Sequence, residues 1–209
     1  MSEKVLKRQN KCLNCEKGIA CLLVIILHCE FPTYIGSIIN IVARIGVPLF
    51  FLISGFFLCS TDRNKVAIRL PIKIKKTFQL VLIYYAINIF YELIVTCIVS
   101  GKQTFLQLIT KIFSVNNLLD AILWNRTIVG IGGWFLPALL FCYMIMWVVN
   151  KYNAYQKAYK MIVPLFVLYF IISRGTALPV WYSRNYLFDG LPFLFTGHYL
   201  AYKQEEIKK

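Results

Sequence analysis

Long apolar runs, broken by clusters of lysine and arginine, constrain this chain more than any single motif. Six runs stand out, at about 18–36, 38–59, 78–99, 134–150, 161–178 and 186–202. A helix needs about 20 residues to cross a hydrocarbon core of about 30 Å. The fourth and sixth runs are therefore marginal, and the fifth carries Pro164 and Arg174. The chain is 59% hydrophobic, against roughly 45–50% for soluble domains. The excess sits in runs with charges at their ends, which indicates membrane spans and not one large soluble core. The predicted fold class is all-α: a polytopic membrane helical bundle with about six transmembrane helices plus interfacial helices, forming a single domain over 1–209.

The net charge of +14 raises nucleic acid as a partner, but the basic residues flank apolar runs, and membrane topology explains them more simply. With the N-terminus in the cytoplasm, the inner segments are the basic N-terminus 1–17, the basic segment 60–77, the 151–160 loop and the C-terminus 203–209. They hold 17 of the 23 Lys and Arg residues. That asymmetry predicts both termini on the cytoplasmic side of a cell membrane. The 60–77 segment mixes basic and apolar residues, as an amphipathic helix on the inner leaflet would, leading into the third span after Pro71. Residues 100–133 read as an outer interfacial segment, with apolar residues at Phe105, Leu108, Ile109, Ile112 and Phe113.

The seven cysteines are odd in number and mostly lie in apolar runs, so no disulfide framework is expected. Cys12 and Cys15 form one CxxC with no second half to complete a zinc site, and no metal is expected. The first apolar run is long and lacks a small-residue cleavage site, so it reads as a retained span. The triplet Asn125-Arg126-Thr127 matches a glycosylation acceptor by pattern alone. Tyr84, Tyr85, Tyr152, Tyr155 and Trp181 suit an aromatic belt, and His198 reads as an ordinary interfacial histidine.

The residues that can carry chemistry begin with Lys17 and His28. Eleven positions of α-helix bring two side chains to within about 20° of one face, about 16 Å apart along the axis. Lys17 is then at the cytoplasmic edge and His28 near mid-membrane. An ionisable group at that depth points by default into the protein. In the functional reading, a cation at the mouth of a slot holds an anionic ligand, and an imidazole deeper in acts as general base. In the structural reading, His28 is a neutral hydrogen-bonded residue and Lys17 snorkels to mark topology. Arg44 lies in the second run at a similar depth. It either pairs with Glu30 to hold helices together or orients His28 and stabilises developing negative charge. Pro48 is expected to kink this helix, and Ser54-Gly55 to admit a close neighbour.

"EKGIACLLVIILH" followed by "RIGVPLFFLISGFFL" resembles the membrane acyltransferase family 3, polytopic acyl-CoA-dependent O-acyltransferases that often acetylate surface or exported glycans. The family's first-helix motif, a basic residue, ten others and a histidine, falls on Lys17 and His28. Its FFxxSGF motif falls on Phe50, Phe51, Ser54, Gly55 and Phe56. Its paired basic residues before the third helix resemble Lys73 and Lys76, and its WFL helix start resembles Trp134, Phe135 and Leu136. "LPFLFTGHYL" resembles a later helix. Lysine replaces the more usual arginine at Lys17, keeping charge but losing the bidentate fork. The resemblance implies acyl-CoA, in the first instance acetyl-CoA, as co-substrate and no permanently bound cofactor. It also implies a sugar or polysaccharide acceptor, with the lipid bilayer as surroundings and a homo-oligomer as an open question. His28 and Arg44 are then the catalytic candidates. Lys17, Arg69, Lys73, Lys75 and Lys76 are the candidates for the donor's phosphates, with attraction to anionic lipid as the alternative.

Family members usually have more spans, so the chain is expected to be C-terminally incomplete. Two other functions stay open: an inactive paralogue that only binds or scaffolds, and a small transporter with an intramembrane His/Arg/Glu pathway. Glu92 and Asp189 are minor candidates for an acceptor path.

Overall fold

The computed structural model describes residues 11–29, 34–60, 62–99, 101–125, 133–179 and 182–207, without the side chains of residues 11–14, 17, 101–105 and 111. Glu30, Arg126, Thr127 and Trp181 lie outside the described residues, as do the basic residues Lys4, Lys7 and Arg8. The described elements are helical throughout, in keeping with the all-α expectation.

Helix α1 spans Lys11–Leu27, and α2, Tyr34–Ala43, is followed after two residues by α3, Gly46–Phe56. The expected first span to residue 36 is therefore shorter: α1 stops at Leu27, where the His28 and Cys29 amides bond to Ile25 O and Ile26 O in a tightened last turn. The break between α2 and α3 falls at Arg44–Ile45. Pro48 has no amide hydrogen, and its ring crowds the carbonyl four residues back, that of Arg44. The Ile45 amide bonds instead to Val42 O at 3.1 Å.

Helix α4, Arg63–Val99, is one helix of 37 residues with Pro71 inside it. The basic 60–77 segment and the third span are thus continuous and not two elements. Asp62 caps the start, its Oδ1 accepting from the Asn64 amide at 3.0 Å. At 1.5 Å per residue the helix is about 55 Å long, well over the thickness of a bilayer core. Only 6% of its most apolar window is buried, which leaves that surface for lipid or further protein.

Helices α5 (Gly101–Ile112) and α6 (Val115–Trp124) make up the segment expected to be interfacial; Ser114 caps α6 by accepting from the Asn117 amide. Next come α7 (Phe135–Lys151), α8 (Tyr155–Lys160) and α9 (Ile162–Gly175). A π-turn, Tyr186–Gly190, opens α10, Leu191–Ile207. Among the described residues, Tyr34–Phe56, Arg63–Val99 and Tyr155–Gly175 are long and apolar enough to cross a membrane, while Gly18–Leu27 and Phe135–Lys151 are shorter apolar helices.

Helix α3 is the centre of the bundle. It packs on α1 and α10, and α7 packs on α4. Phe51, Leu58, Leu70, Cys142, Met146 and Leu194 anchor the shared core. The α3–α10 crossing is made by two glycines. A Cβ on Gly55 would stand 2.0 Å from Leu194 O, and one on Gly197 only 1.9 Å from Leu52 O. Only glycine at both positions lets the two backbones touch.

Candidate active site

The two aromatic motifs meet. The Phe51 ring lies 5.1 Å from Phe135 and 6.5 Å from Trp134, and Phe50 stands edge-on to Phe135 at 5.1 Å. Edge-to-face pairs of this kind add to the burial of their area. They lock the start of α7 onto α3, so the FF and WF segments act as a joint. Ser54 and Gly55 are buried on the same helix. Ser54 therefore sits in a packed interface near Tyr143, its hydroxyl buried with no hydrogen-bond partner among the described residues.

The basic residues of α4 divide by helical phase. Val66, Leu70, Thr77 and Val81 are its buried face. At 100° per residue, Arg69, Lys73 and Lys76 fall within about 60° of one another along one edge of that face, and Lys75 falls on the opposite side. Arg69 and Lys73 are half-buried, whereas Lys75 and Lys76 are exposed. Lys73 Nζ lies 5.4 Å from the centre of the Tyr143 ring, a cation–π contact that holds the ammonium beside the α4–α7 seam. A chain of neighbours thus runs from Lys73 through Tyr143 to Ser54.

His28 and Arg44 are both exposed. The expectation that His28 faces inward from the middle of a span is corrected: it follows the last residue of α1 and lies on the surface of the described bundle. Its level still relates to that of Arg44. A Cβ on Gly46 would meet Leu23 Cβ at 2.8 Å, Ala20 O at 3.1 Å and the Val24 amide at 3.2 Å, so α1 and α3 cross there. The chain folds back after α1, placing His28 and Arg44 on the same side of that crossing with levels about 5 Å apart. The Lys17 side chain and Glu30, the expected partner of Arg44, lie outside the described set.

Sequence reasoning passed over a second cluster. His198 is 4% exposed on α10. Its ring stacks on Tyr155 at 4.9 Å with 9° between planes, and the Tyr159 hydroxyl is 2.8 Å from Nδ1. Its Nε2 is buried with no hydrogen-bond partner among the described residues. The Tyr155 hydroxyl donates to Asn150 Oδ1 at 2.7 Å, and the Arg63 guanidinium donates to Asn150 O at 2.7 Å. That cation meets the carbonyl end of α7, where the helix dipole favours it. The cluster joins the start of α4, the end of α7, α8 and α10 at one end of the bundle. The signal was Tyr155 and Tyr159, one helical turn apart, with no partner evident in sequence.

The family model described as "Acyltransferase domain", of the acyltransferase 3 type, matches residues 10–209. The chain belongs to this family. Its members' helical, membrane-embedded character agrees with the apolar helices above. An amino-acid racemase of Enterococcus faecalis is 28% identical over 217 residues, which cover 91% of this chain and 28% of the racemase. The chain therefore spans just over a quarter of the length of the curated relative it matches. No solved structure matches it.

Proposed function

We propose that this chain provides the membrane part of an acyltransferase that moves an acyl group, in the simplest case acetyl, from acyl-CoA to a hydroxyl of a cell-surface or exported glycan. The observation that carries this reading is the edge of α4 on which Arg69, Lys73 and Lys76 align, with Lys73 at the α4–α7 seam, in a chain whose family is that of acyltransferases. Three cations on one edge suit the several phosphate charges of a CoA donor. Of the three, the half-buried Lys73 is held against the Tyr143 ring at the α4–α7 seam, whereas Lys76 is exposed.

The chemistry then follows from His28 and Arg44. Imidazole Nε2 or Nδ1 takes the proton of the acceptor hydroxyl as its oxygen attacks the thioester carbonyl. The tetrahedral oxyanion is steadied by the Arg44 guanidinium. Collapse expels the CoA thiolate, which takes up the proton from the imidazolium. Lys17 holds the donor from the cytoplasmic side.

The test is CoA release from acetyl-CoA by the full chain in nanodiscs, with and without a glycan acceptor. Loss of a general base costs about a hundredfold or more in turnover. His28→Gln should show that loss at normal expression, and equal turnover would remove His28 from the mechanism. Lys17→Ala should weaken donor affinity, with Lys17→Arg retaining part of it. A wild-type chain that binds acetyl-CoA without ever releasing CoA would favour a binding or scaffold role.

A further inference from the structure

At the end of α10 opposite His198, four polar side chains are buried: Asn125 (0% exposed), Asn185 (1%), Ser183 (4%) and Asp189 (5%). Asn185 is committed to the backbone of the π-turn. Its Oδ1 accepts from the Leu187 and Phe188 amides at 2.9 and 3.0 Å, and its Nδ2 donates to Tyr182 O at 2.8 Å. Asn125, in the left-handed region at φ 54°, ends α6 and accepts the Tyr186 amide on its Oδ1 at 3.0 Å. These bonds hold five residues out of α-helical register. They leave two buried atoms with no hydrogen-bond partner among the described residues: Asn125 Nδ2, a donor, and Asp189 Oδ1, an acceptor.

Such atoms are costly to leave unmet. Non-helical backbone at membrane depth is tolerated where it is enclosed by protein or lines a cavity, and π-turns concentrate at functional sites. The surroundings add direction. Trp124 and Tyr182 pack edge to face at 4.8 Å. Arg184 is close enough to act electrostatically on Asp189, and both Arg184 and Arg174 act on Tyr169.

We propose that this end of the bundle binds a hydroxyl-bearing ligand with an anionic substituent, such as a carboxylated sugar. Its hydroxyls donate to Asp189 Oδ1 and accept from Asn125 Nδ2, and Arg184, which acts electrostatically on Asp189, is the cation for the anion. A sugar's hydroxyls supply both donors and acceptors, whereas an ammonium group only donates. A metal ion is poorly served, since no group of three or more His, Cys, Asp or Glu gathers among the described residues. The ligand's role as acyl acceptor rests on the proposed function; its binding does not.

The test is ligand-observed saturation-transfer NMR on the full chain in nanodiscs, using methyl β-glucuronide, methyl β-glucoside and the permethylated glucuronide. The wild type should show transfer to the glucuronide, less to the glucoside and none to the permethylated sugar. Asp189→Asn and Asn125→Asp keep side-chain shape, and the second also keeps the oxygen that holds Tyr186. Each should weaken binding about tenfold or more. No transfer in the wild type, equal transfer to all three sugars, or unchanged binding in both variants would overturn the proposal and leave water as the occupant. Acyl transfer that persists while the variants bind normally would sink this site alone. Glucuronide binding without acyl transfer would sink the enzymatic reading alone.

Discussion

The tightest constraint in the molecule is the α3–α10 crossing, and Gly197→Ala tests it. The added Cβ would stand 1.9 Å from Leu52 O and 2.7 Å from Leu52 C, both backbone atoms that no rotamer change can move. Restoring an ordinary contact of about 3.4 Å means parting the helices by about 1.5 Å. A gap of 0.5–1 Å already forfeits about a quarter to a half of a dispersion well. Phe51, Ile53 and Leu194, each at most 1% exposed, lie at or beside the crossing and would loosen together. Overpacking in a filled core costs about 1–3 kcal/mol, and the rigid backbone target puts this case at the upper end, about 3 kcal/mol. For a chain of this size that lowers the unfolding midpoint by about 6–12 °C. The assay is thermal unfolding in detergent, followed by size exclusion and tryptophan fluorescence. Gly55→Ala should cost about as much, because its Cβ would stand 2.0 Å from Leu194 O. The double variant should cost less than the sum, since one displacement relieves both clashes. Gly18→Ala is the control: nothing lies within 4 Å of its Cβ, so helix propensity alone should leave stability unchanged or raise it by about 0.5–1 kcal/mol. An unshifted midpoint for Gly197→Ala, or strictly additive losses in the double variant, would refute the account of the crossing.

Other perturbations follow from the same geometry. Lys76→Gln should raise the acetyl-CoA KM at low ionic strength and Lys75→Gln should not, because helical phase puts Lys75 on the far side of α4; equal effects would mean that diffuse charge, and not the edge, attracts the donor. Cys59 lies beyond the end of α3, and burial, with the Glu205 charge second, pushes its thiol up to about 12. At pH 7.5 its thiolate is scarce, so maleimide should label it far more slowly than the exposed Cys29, and labelling should accelerate as pH rises toward 12. Tyr159→Phe removes the hydroxyl that meets His198 Nδ1 and should cost about 1–3 kcal/mol of stability, with the stacked Tyr155 ring left in place; an unchanged unfolding midpoint would show that the contact is energetically idle.

Periodicity and charge placement made the helical class, the approximate starts of α7 and α9, and the basic character of α4 legible in the sequence. Those features are written in local composition. The helix ends were less legible. The first apolar run was carried past the end of α1 at Leu27, whereas the break at Arg44–Ile45 answers to the kink expected from Pro48, and Tyr34–Phe56 is still long and apolar enough to cross a membrane. Two separate motifs, Phe50-Phe51 and Trp134-Phe135, were each visible, but that they form one joint is a tertiary fact.

The buried polar clusters show why local patterns mislead most where function is concerned. Asn125-Arg126-Thr127 matches the glycosylation triplet by pattern alone, a match of the kind that arises by chance, and Asn125 is fully buried with its carbonyl oxygen on the Tyr186 amide, 61 residues away in sequence. Glycosylation needs an exposed side-chain nitrogen, so this placement is incompatible with it in the folded chain. The same side chain makes sense only beside the π-turn, whose irregular backbone needs an acceptor at that point. His198 follows the same logic, because its partners Tyr155 and Tyr159 come from another helix and no spacing rule links them. Long-range polar contacts in a membrane protein are chosen against a background where an unmet group is expensive. The residues that matter most to this fold's two ends are therefore those whose partners lie farthest off in the chain, and sequence periodicity carries least information about them.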